Sequence, residues 1–292
     1  MVTDSPPGEP GNKPSSDREQ ILKEEREKSP LSNRELLDAD KRSSPSAKIV
    51  HEAIRLEGSE ELERRSSSIG WSGLGAGLTM GCSMLGHGIL LAHLPDTAWR
   101  PLVASLGYSL GFLFVTMGRQ QLFTETTLTV MLPFLHGTHR GGEVARYWSV
   151  VFVANIVGTL LFAFAASLPG LFPAHTAETF VELGTKAVAP GFLYVLAKGV
   201  FAGWLIALMV WLLPAADSAR FVVIIAVTWL ISVAEFSHVI AGSAETAFAA
   251  IHGAIGWDQY LLGFLLPALV GNAIGGVVFV ALLNHAQVKE EV

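Results

Sequence analysis

Long apolar runs alternate with short polar connections from Gly70 to the end of the chain. Each run reaches about 20 residues, the length at which a helix crosses a bilayer. The pattern predicts six membrane spans, and these are Gly70–Leu94, Leu102–Leu135, Tyr147–Leu168, Gly191–Leu213, Phe221–Ala254 and Tyr260–Leu283. A large soluble core would also need amphipathic surface helices, and no such pattern follows residue 70. The predicted fold is therefore an all-α integral membrane protein.

Polar and flexible residues interrupt the second and fifth predicted spans. The interruptions read MGRQQLFTETT (Met117–Thr127) and EFSHVIAGSAET (Glu235–Thr246). A broken helix is tolerated in lipid only where its backbone is buried in protein or lines a wet cavity. Because each break falls in the middle span of a three-helix half, the pair predicts two repeats of inverted topology with a translocation site between them. The third spans of the halves, ANIVGT and GNAIGG, also match, and their Asn155 and Asn272 are predicted to pack helices together.

Charge divides the chain into regions. More than half of the charged residues precede residue 67, which predicts a polar cytoplasmic tail (1–66), a membrane domain (67–285) and a short cytoplasmic tail (286–292). The first 45 or so residues are predicted to be disordered, apart from a helix-prone patch at Asp17–Lys28. The segment Ser46–Arg65 has helical apolar spacing, which fits either an interfacial or subunit-packing helix or a solvated helix leading into the first span. Lysines and arginines near the spans favour both termini in the cytoplasm.

Composition argues against several functional classes. The single cysteine, Cys82, provides no disulfide framework. No cleavable signal peptide is visible. The net charge of −6 is mildly acidic, most of the charged residues lie in the tail, and nothing suggests a nucleic-acid partner. Since no nucleophile–base pair, metal cluster or phosphate loop is visible, neither an enzyme nor a cofactor or metal is predicted.

The residues at the breaks resemble those of the formate/nitrite transporter family. The matches are LFT (Leu122–Thr124) in the first break, Phe236 and His238 in the second, GNAIGG in the last span, and Lys186 four residues before Pro190. The resemblance covers about residues 66–285. It implies a homopentamer of six-span, aquaporin-like protomers in a bacterial inner membrane, conducting small monovalent anions or their conjugate weak acids.

Several positions depart from the family pattern, among them Glu125 and Thr126, which follow LFT where the family usually has a small residue and often asparagine. The family commonly has Phe-Glu-His-Ser-x-Ala-Asn in the second break and an asparagine in the fourth span. Ser237, Gly242 and Gly203 stand in this chain where the family has glutamate, asparagine and asparagine. The sequence is therefore identified as a divergent member.

His238 is the central candidate for the pathway. A monovalent anion in a narrow apolar pore suffers a large desolvation penalty, which protonation removes. The resemblance implies that a central histidine lends that proton; the alternative is a histidine that only ties the loop to backbone. Thr124 would bond His238 or the solute, or cap the half-helix after the break. Lys186 would concentrate anions at the outer mouth, or is an ordinary solvated lysine.

The other candidates are apolar or charged. Apolar constrictions beside the histidine are predicted among Leu122, Phe123, Phe112, Ile231 and Phe236, each of which is also compatible with ordinary packing. Intramembrane charges are the second set, and they are Glu125, Glu245, Arg119 and Lys198. The two Glu-Thr pairs predict that both glutamates occupy equivalent points of the two halves, near the pore or a half-helix N-terminus. Pairing with Arg119 or Lys198 is the structural alternative, and His87 is predicted to be structural.

Three functions fit this pattern. The first is a channel or transporter for small monovalent anions or their conjugate weak acids, linked to protons through His238. The second is a neutral-solute pore of the aquaporin type, which the replaced glutamate and asparagine favour. The third is a non-transporting membrane scaffold or sensor whose working part is the long tail.

Overall fold

The described part of the chain folds into helices joined by short connections. The computed structural model describes residues 28–32, 34–36 and 45–290, so the predicted patch at Asp17–Lys28 lies outside the described residues except for Lys28. The helices are α1 (Ala47–Glu63), α2 (Ser66–His93), α3 (Arg100–Met117), α4 (Phe123–Thr129), α5 (Met131–Leu135), α6 (Gly141–Ala166), α7 (Ala174–Val188), α8 (Phe192–Leu212), α9 (Arg220–Val233), α10 (Val239–Ile251), α11 (Leu266–Gly276) and α12 (Leu283–Glu290). Two π-helical segments, Gln259–Leu265 and Val277–Leu282, extend α11 and join it to α12.

The predicted all-α membrane fold is confirmed. Within the described part of the chain, five helices are long and apolar enough to cross a bilayer, and they are Ser66–His93, Arg100–Met117, Gly141–Ala166, Phe192–Ala215 and Gln259–Lys289. The predicted fifth span is divided between α9, with 14 residues, and α10, with 13. The second predicted span also ends early, at Met117, and resumes at α4.

The two halves of the bundle run in opposite directions. Arg146 at the start of α6 donates to the Leu62 carbonyl at 2.6 Å and to Ser66 Oγ at 2.9 Å, so α2 and α6 both start beside α1. Two later helices end beside α1 as well. The His51 ring of α1 lies 5.3 Å from the ring of His285, near the end of Gln259–Lys289, and 6.4 Å from that of Trp211, near the end of α8. The helices α8 and Gln259–Lys289 therefore end where α2 and α6 begin. Their opposed directions are those of inverted repeats.

Helix α1 packs on the body of its own protomer. Val50, Ile54 and Leu62 on one face are buried. The carboxylate of Glu61 accepts hydrogen bonds from Tyr147 Oη at 2.9 Å and from Gln121 Nε2 at 3.1 Å. The solvated alternative for this segment is therefore wrong.

The docking of α1 also favours the neutral form of His51. Burial lowers the pKa of His51, and the neighbouring His285 lowers it further. Since a lowered pKa favours the neutral ring, the docked helix is most stable above the ordinary titration range of histidine.

Gly58 holds α1 against the first broken span. A Cβ at this position would lie 1.9 Å from the Thr129 carbonyl oxygen. Gly58→Ala is therefore expected to displace α1, and amide exchange over Val50–Leu62 should accelerate about tenfold or more because local opening becomes easier. Gly142→Ala is the control, since nothing lies within 4 Å of its added Cβ. Equal exchange in the two variants would contradict the docking contact.

Candidate functional site

The two helix breaks have the same backbone construction. Arg119 and Glu235 occupy the left-handed region, with φ of 51° and 54°, a conformation uncommon for residues other than glycine. The next residue in each break turns back to the preceding helix: the amide of Gln120 donates to the Val115 carbonyl at 3.0 Å, and that of Phe236 to the Ile231 carbonyl at 2.9 Å. Leu122 and His238 then stand as the residues before α4 and α10. The breaks are thus equivalent, as inverted repeats require.

One buried asparagine holds each break. Asn155 Oδ1 accepts from the Phe123 amide at 2.9 Å, while its Nδ2 donates to the Gly73 carbonyl at 2.8 Å and the Gln121 carbonyl at 2.9 Å. Asn155 of α6 therefore links Gln121 and Phe123, the two residues on either side of Leu122, to helix α2. The asparagine satisfies two backbone groups of the interruption, the Gln121 carbonyl and the Phe123 amide, and its third bond to the Gly73 carbonyl ties the break to α2.

Asn272 repeats this arrangement in the second half. Its Oδ1 accepts from the Val239 amide at 2.9 Å, and its Nδ2 donates at 2.8 Å to the carbonyls of Gly199 and Ser237. The asparagines were predicted only to pack helices. Their role in anchoring the breaks was not predicted, although the matching ANIVGT and GNAIGG segments were a signal for it.

The predicted equivalence of the two glutamates is wrong. Glu125 lies in the first turn of α4, whereas Glu245 lies in the middle of α10. The second interruption is also shorter than Glu235–Thr246, because helix resumes at Val239. Polar residues continue into α10 without breaking it, since Ser243 and Thr246 donate to carbonyls one turn earlier, at 2.6 and 2.7 Å.

His238 caps α10 and bonds Thr124 across the two halves. Its Nδ1 accepts from the Ala241 amide at 3.2 Å, and its Nε2 lies 2.7 Å from Thr124 Oγ1. A neutral imidazole has one acceptor and one donor nitrogen. With Nδ1 accepting, Nε2 carries the proton and donates to Thr124, and the threonine hydroxyl hydrogen is left to point elsewhere. Both side chains are buried.

Two cavities approach this pair from opposite sides. The first, of about 190 Å³, is lined by His238, Glu235 and Lys186 and is called the α7-side cavity. The second, of about 340 Å³, is lined by Glu61, Arg119 and Glu125 and is called the α1-side cavity.

Helix α3 shows what lies between the cavities. Tyr108 lines the α7-side cavity and Thr116 lines the α1-side cavity. Phe112, one turn from each, is fully buried, and its ring meets the His238 ring edge-on at 4.8 Å. The Phe112, Thr124 and His238 side chains therefore form a closed layer between two water-accessible spaces.

The other predicted apolar residues occupy different places. Leu122 and Ile231 are fully buried but line neither cavity. The Phe123 ring packs against the Trp148 and Phe152 rings of α6, at 6.0 and 5.3 Å.

Phe236 does line the α7-side cavity. Its ring stacks on that of Phe201 at 5.1 Å. Of the five apolar candidates, Phe112 and Phe236 are the two that the structure brings to His238 or to a cavity wall.

The charged candidates pair differently from expectation. Lys186 Nζ lies 2.6 Å from Glu235 Oε1, and Lys198 Nζ lies 3.6 Å from Glu235 Oε2, so one glutamate holds both lysines at the mouth of the α7-side cavity. Glu125 accepts from Thr116 Oγ1 at 2.6 Å. Over residues 45–290, neither Glu125 nor Arg119 forms an ion pair, although both line the α1-side cavity.

Two of the departures from the family pattern, Gly203 and Gly242, are close packing contacts. A Cβ at Gly203 would lie 2.2 Å from the Asn272 carbonyl oxygen, and one at Gly242 would lie 2.2 Å from Phe264 Cζ. The asparagines common in the family therefore have no room in this chain without movement of their neighbours. Ser237 contributes its carbonyl to Asn272 and lines the α7-side cavity.

Sequence reasoning missed His87. It was predicted to be structural, but it lines the α7-side cavity together with Tyr108. Its Nδ1 is buried and has no hydrogen-bond partner in the part of the chain that the structure describes. The unusual GHG surroundings (Gly86–Gly88) were a weak signal for this position.

Comparisons with known proteins identify the family to which the chain is similar. The family model described as "Formate/nitrite transporter" matches residues 48–286. The chain is 38% identical over 279 residues to the inner membrane protein YfdC of Escherichia coli K12, covering 94% of this chain and 88% of that protein. It is 27% identical to the nitrite transporter NirC of Salmonella typhimurium, covering 70% of this chain and 78% of that protein.

A solved structure, a pentameric formate channel with formate bound, has the same fold. It superposes with a TM-score of 0.65 at 20% identity and covers 77% of this chain and 98% of its own. The inverted halves, the matched breaks and a family match over nearly the whole membrane domain agree. The chain belongs to the formate/nitrite transporter family, whose members are membrane channels and transporters rather than enzymes.

Proposed function

We propose that this protein conducts a small monovalent anion across the membrane as its conjugate weak acid, with formate and nitrite as the first candidates. The observation that carries the proposal is the His238–Thr124 pair, buried with Phe112 between two cavities. An anion entering this layer would lose its hydration with little to replace it, whereas the neutral acid would not carry that penalty. The relatives named for nitrite and formate support the choice of solute.

The His238–Thr124 pair supplies a hydrogen-bond donor inside the layer. Nε2–H donates to Thr124, and the Thr124 hydroxyl donates in turn to the oxygen of a passing acid. Hydrogen bonds in such a chain polarise and strengthen one another. The pair would therefore favour solutes with an acceptor oxygen over apolar ones of the same size.

Proton linkage through His238 takes a restricted form. The ring must gain a second proton at Nδ1 before it can give one away, and that proton displaces the Ala241 amide from the cap of α10. Losing a cap costs about 1 kcal/mol. The neutral ring thus acts mainly as a fixed donor, and its proton-donating state forms only when α10 is uncapped.

The oligomer and its placement in the membrane follow the family. The proposed assembly is a homopentamer, as in the solved formate channel. The proposed location is a bacterial inner membrane, since YfdC carries that description. With both termini in the cytoplasm, α1 and the α1-side cavity would face inward, and Lys186 would stand at the outer mouth.

A flux panel tests this proposal. Proteoliposomes are given formate, nitrite, acetate, lactate, glycerol and water, with uptake followed at acidic and neutral pH. We expect saturable uptake of at least one weak acid that rises as pH falls, because the neutral acid becomes more abundant. Osmotic swelling with glycerol or water alone would instead indicate the neutral-solute pore. No flux of any solute would indicate the scaffold or sensor.

A further inference from the structure

We propose that Glu245 exchanges the proton with the solute in the α7-side cavity, giving it to an arriving anion and recovering it from water. The inference rests on the proposed function and adds a residue to the same pathway. It assigns a role to a carboxyl that packing does not explain.

Glu245 lies on the cavity face of α10. His238, Gly242 and Glu245 follow one another at helical spacing, and all three line the α7-side cavity. Gly242 has no side chain, and the Phe264 ring, which lines the same cavity, packs against it between the histidine and the carboxyl. A solute in this cavity can therefore reach both Glu245 and the closed layer at His238.

The Glu245 carboxyl is buried and has no partner. Its residue is 8% exposed. Within residues 45–290 no hydrogen bond or ion pair reaches its oxygens. A structural glutamate at this depth would be paired with a cation or held by donors, because an uncompensated buried charge is costly.

The charged and titratable groups around the cavity are otherwise engaged or neutral. They come from every element that faces Glu245, and they are His87 of α2, Tyr108 of α3, Lys186 of α7, Lys198 of α8, and Glu235 and His238 of the second break. Both lysines are held by Glu235. His238 has both nitrogens in hydrogen bonds. Tyr260 packs on the far side of α10 with Phe248 and Ala244.

The proton transfer conserves charge and atoms. The O–H bond of the Glu245 carboxyl breaks, and a new O–H bond forms on an oxygen of the solute anion. The negative charge moves from the solute to Glu245, and the neutral acid enters the layer at His238. Glu245 then takes a proton from water in the cavity, and the acid releases its own proton to water in the α1-side cavity.

His87 adds a polar side chain to the wall of the same cavity. Its Nδ1 is buried and has no hydrogen-bond partner within residues 45–290, so the cavity side of α2 carries an imidazole that packing does not explain. A cavity of about 190 Å³ accommodates an acid of one to three carbons with some water. The ligand class is therefore a small oxyacid anion.

Glu245→Gln tests the exchange, because the amide keeps the size and shape of the carboxyl but has no acidic proton to give. Initial rates of formate uptake are measured in proteoliposomes of wild type and variant from about pH 5 to about pH 8. At the acidic end the two should agree within about twofold, since bulk water supplies the neutral acid. At the alkaline end the variant should be slower by about tenfold or more, because its uptake follows the bulk concentration of neutral acid alone.

Controls separate the possible failures. Glu245→Asp should restore the wild-type profile, and Glu182→Gln on the exposed face of α7 should not change it. Glu245→Thr repeats the test should the glutamine variant not fold. A constant ratio of the two rates at every pH would overturn the role of Glu245 and leave the proposed function standing. Absence of formate, nitrite and acetate uptake by the wild type would overturn the proposed function itself.

Discussion

Replacing His238 by phenylalanine is expected to lower formate uptake by about tenfold to a hundredfold. The variant keeps an aromatic ring against Phe112 but removes the Nε2–H donor and the Nδ1 cap. A buried polar group that is left without its hydrogen bond costs about 1–3 kcal/mol. The loss falls where the solute has left water, so no other donor replaces it.

A double-mutant cycle that combines His238→Phe with Thr124→Val shows whether the two side chains act together on the solute. Valine keeps the threonine shape and removes the hydroxyl that accepts from His238. If the ring acts through Thr124, each single variant should lose most of the rate and the double variant should lose little more. Thr228→Val is the control, because this buried hydroxyl donates to the Ile224 carbonyl of its own helix at 2.7 Å. Wild-type uptake in the phenylalanine variant, or fully additive losses, would refute the shared role.

The positions of the helix breaks were predictable from the sequence because they depend on local polarity. Charged and amide residues at 119–121 and a charge at 235 in otherwise apolar runs are costly in lipid, and the structure interrupts the helices there. The bond between His238 and Thr124 was also among the predicted alternatives. Its confirmation depended on placing both residues at the ends of breaks that face one another.

The extent of the second break could not be predicted in the same way. The small and polar residues Gly242, Ser243 and Thr246 suggested that the loop continued through them. They lie instead in α10, which is buried over Val239–Ala250, and the two hydroxyls donate to carbonyls of the same helix. Polarity in a buried half-helix therefore resembles polarity in a loop. The same ambiguity produced the false match of Glu125 with Glu245.

Residues whose role depends on a distant partner were the least predictable. Ile231 and Phe123 are as apolar as Phe112, yet only the rotation of each helix decides which one meets His238. Lys198 was expected to pair with Glu125 or Glu245 and instead shares Glu235 with Lys186. Neither the rotation of a helix about its axis nor the pairing of two lysines with one carboxylate can be predicted from a single sequence.

Asn272→Ala is expected to destabilise the folded protein by about 3 kcal/mol or more. The substitution removes three hydrogen bonds, and it leaves the Val239 amide and the Ser237 carbonyl of the break buried without the partner that the asparagine supplied. Each unsatisfied buried group costs about 1–3 kcal/mol. The thermal midpoint of the purified protein in detergent measures the loss. Thr159→Val is the control, because this buried hydroxyl bonds only within its own helix, and it should shift the midpoint far less.

The two halves allow an internal comparison. Asn155→Ala removes the equivalent three bonds from the first break, so it should lower the thermal midpoint by a similar amount. The two variants should lower flux through different residues. Asn272 positions Val239, next to His238, whereas Asn155 positions Phe123, next to Thr124. Asn272→Asp keeps the Oδ1 acceptor but turns an oxygen toward the carbonyls of Gly199 and Ser237, so it should lower the midpoint at least as much as alanine. A midpoint unchanged by Asn272→Ala would mean that neighbouring helices, rather than this amide, hold the break in place.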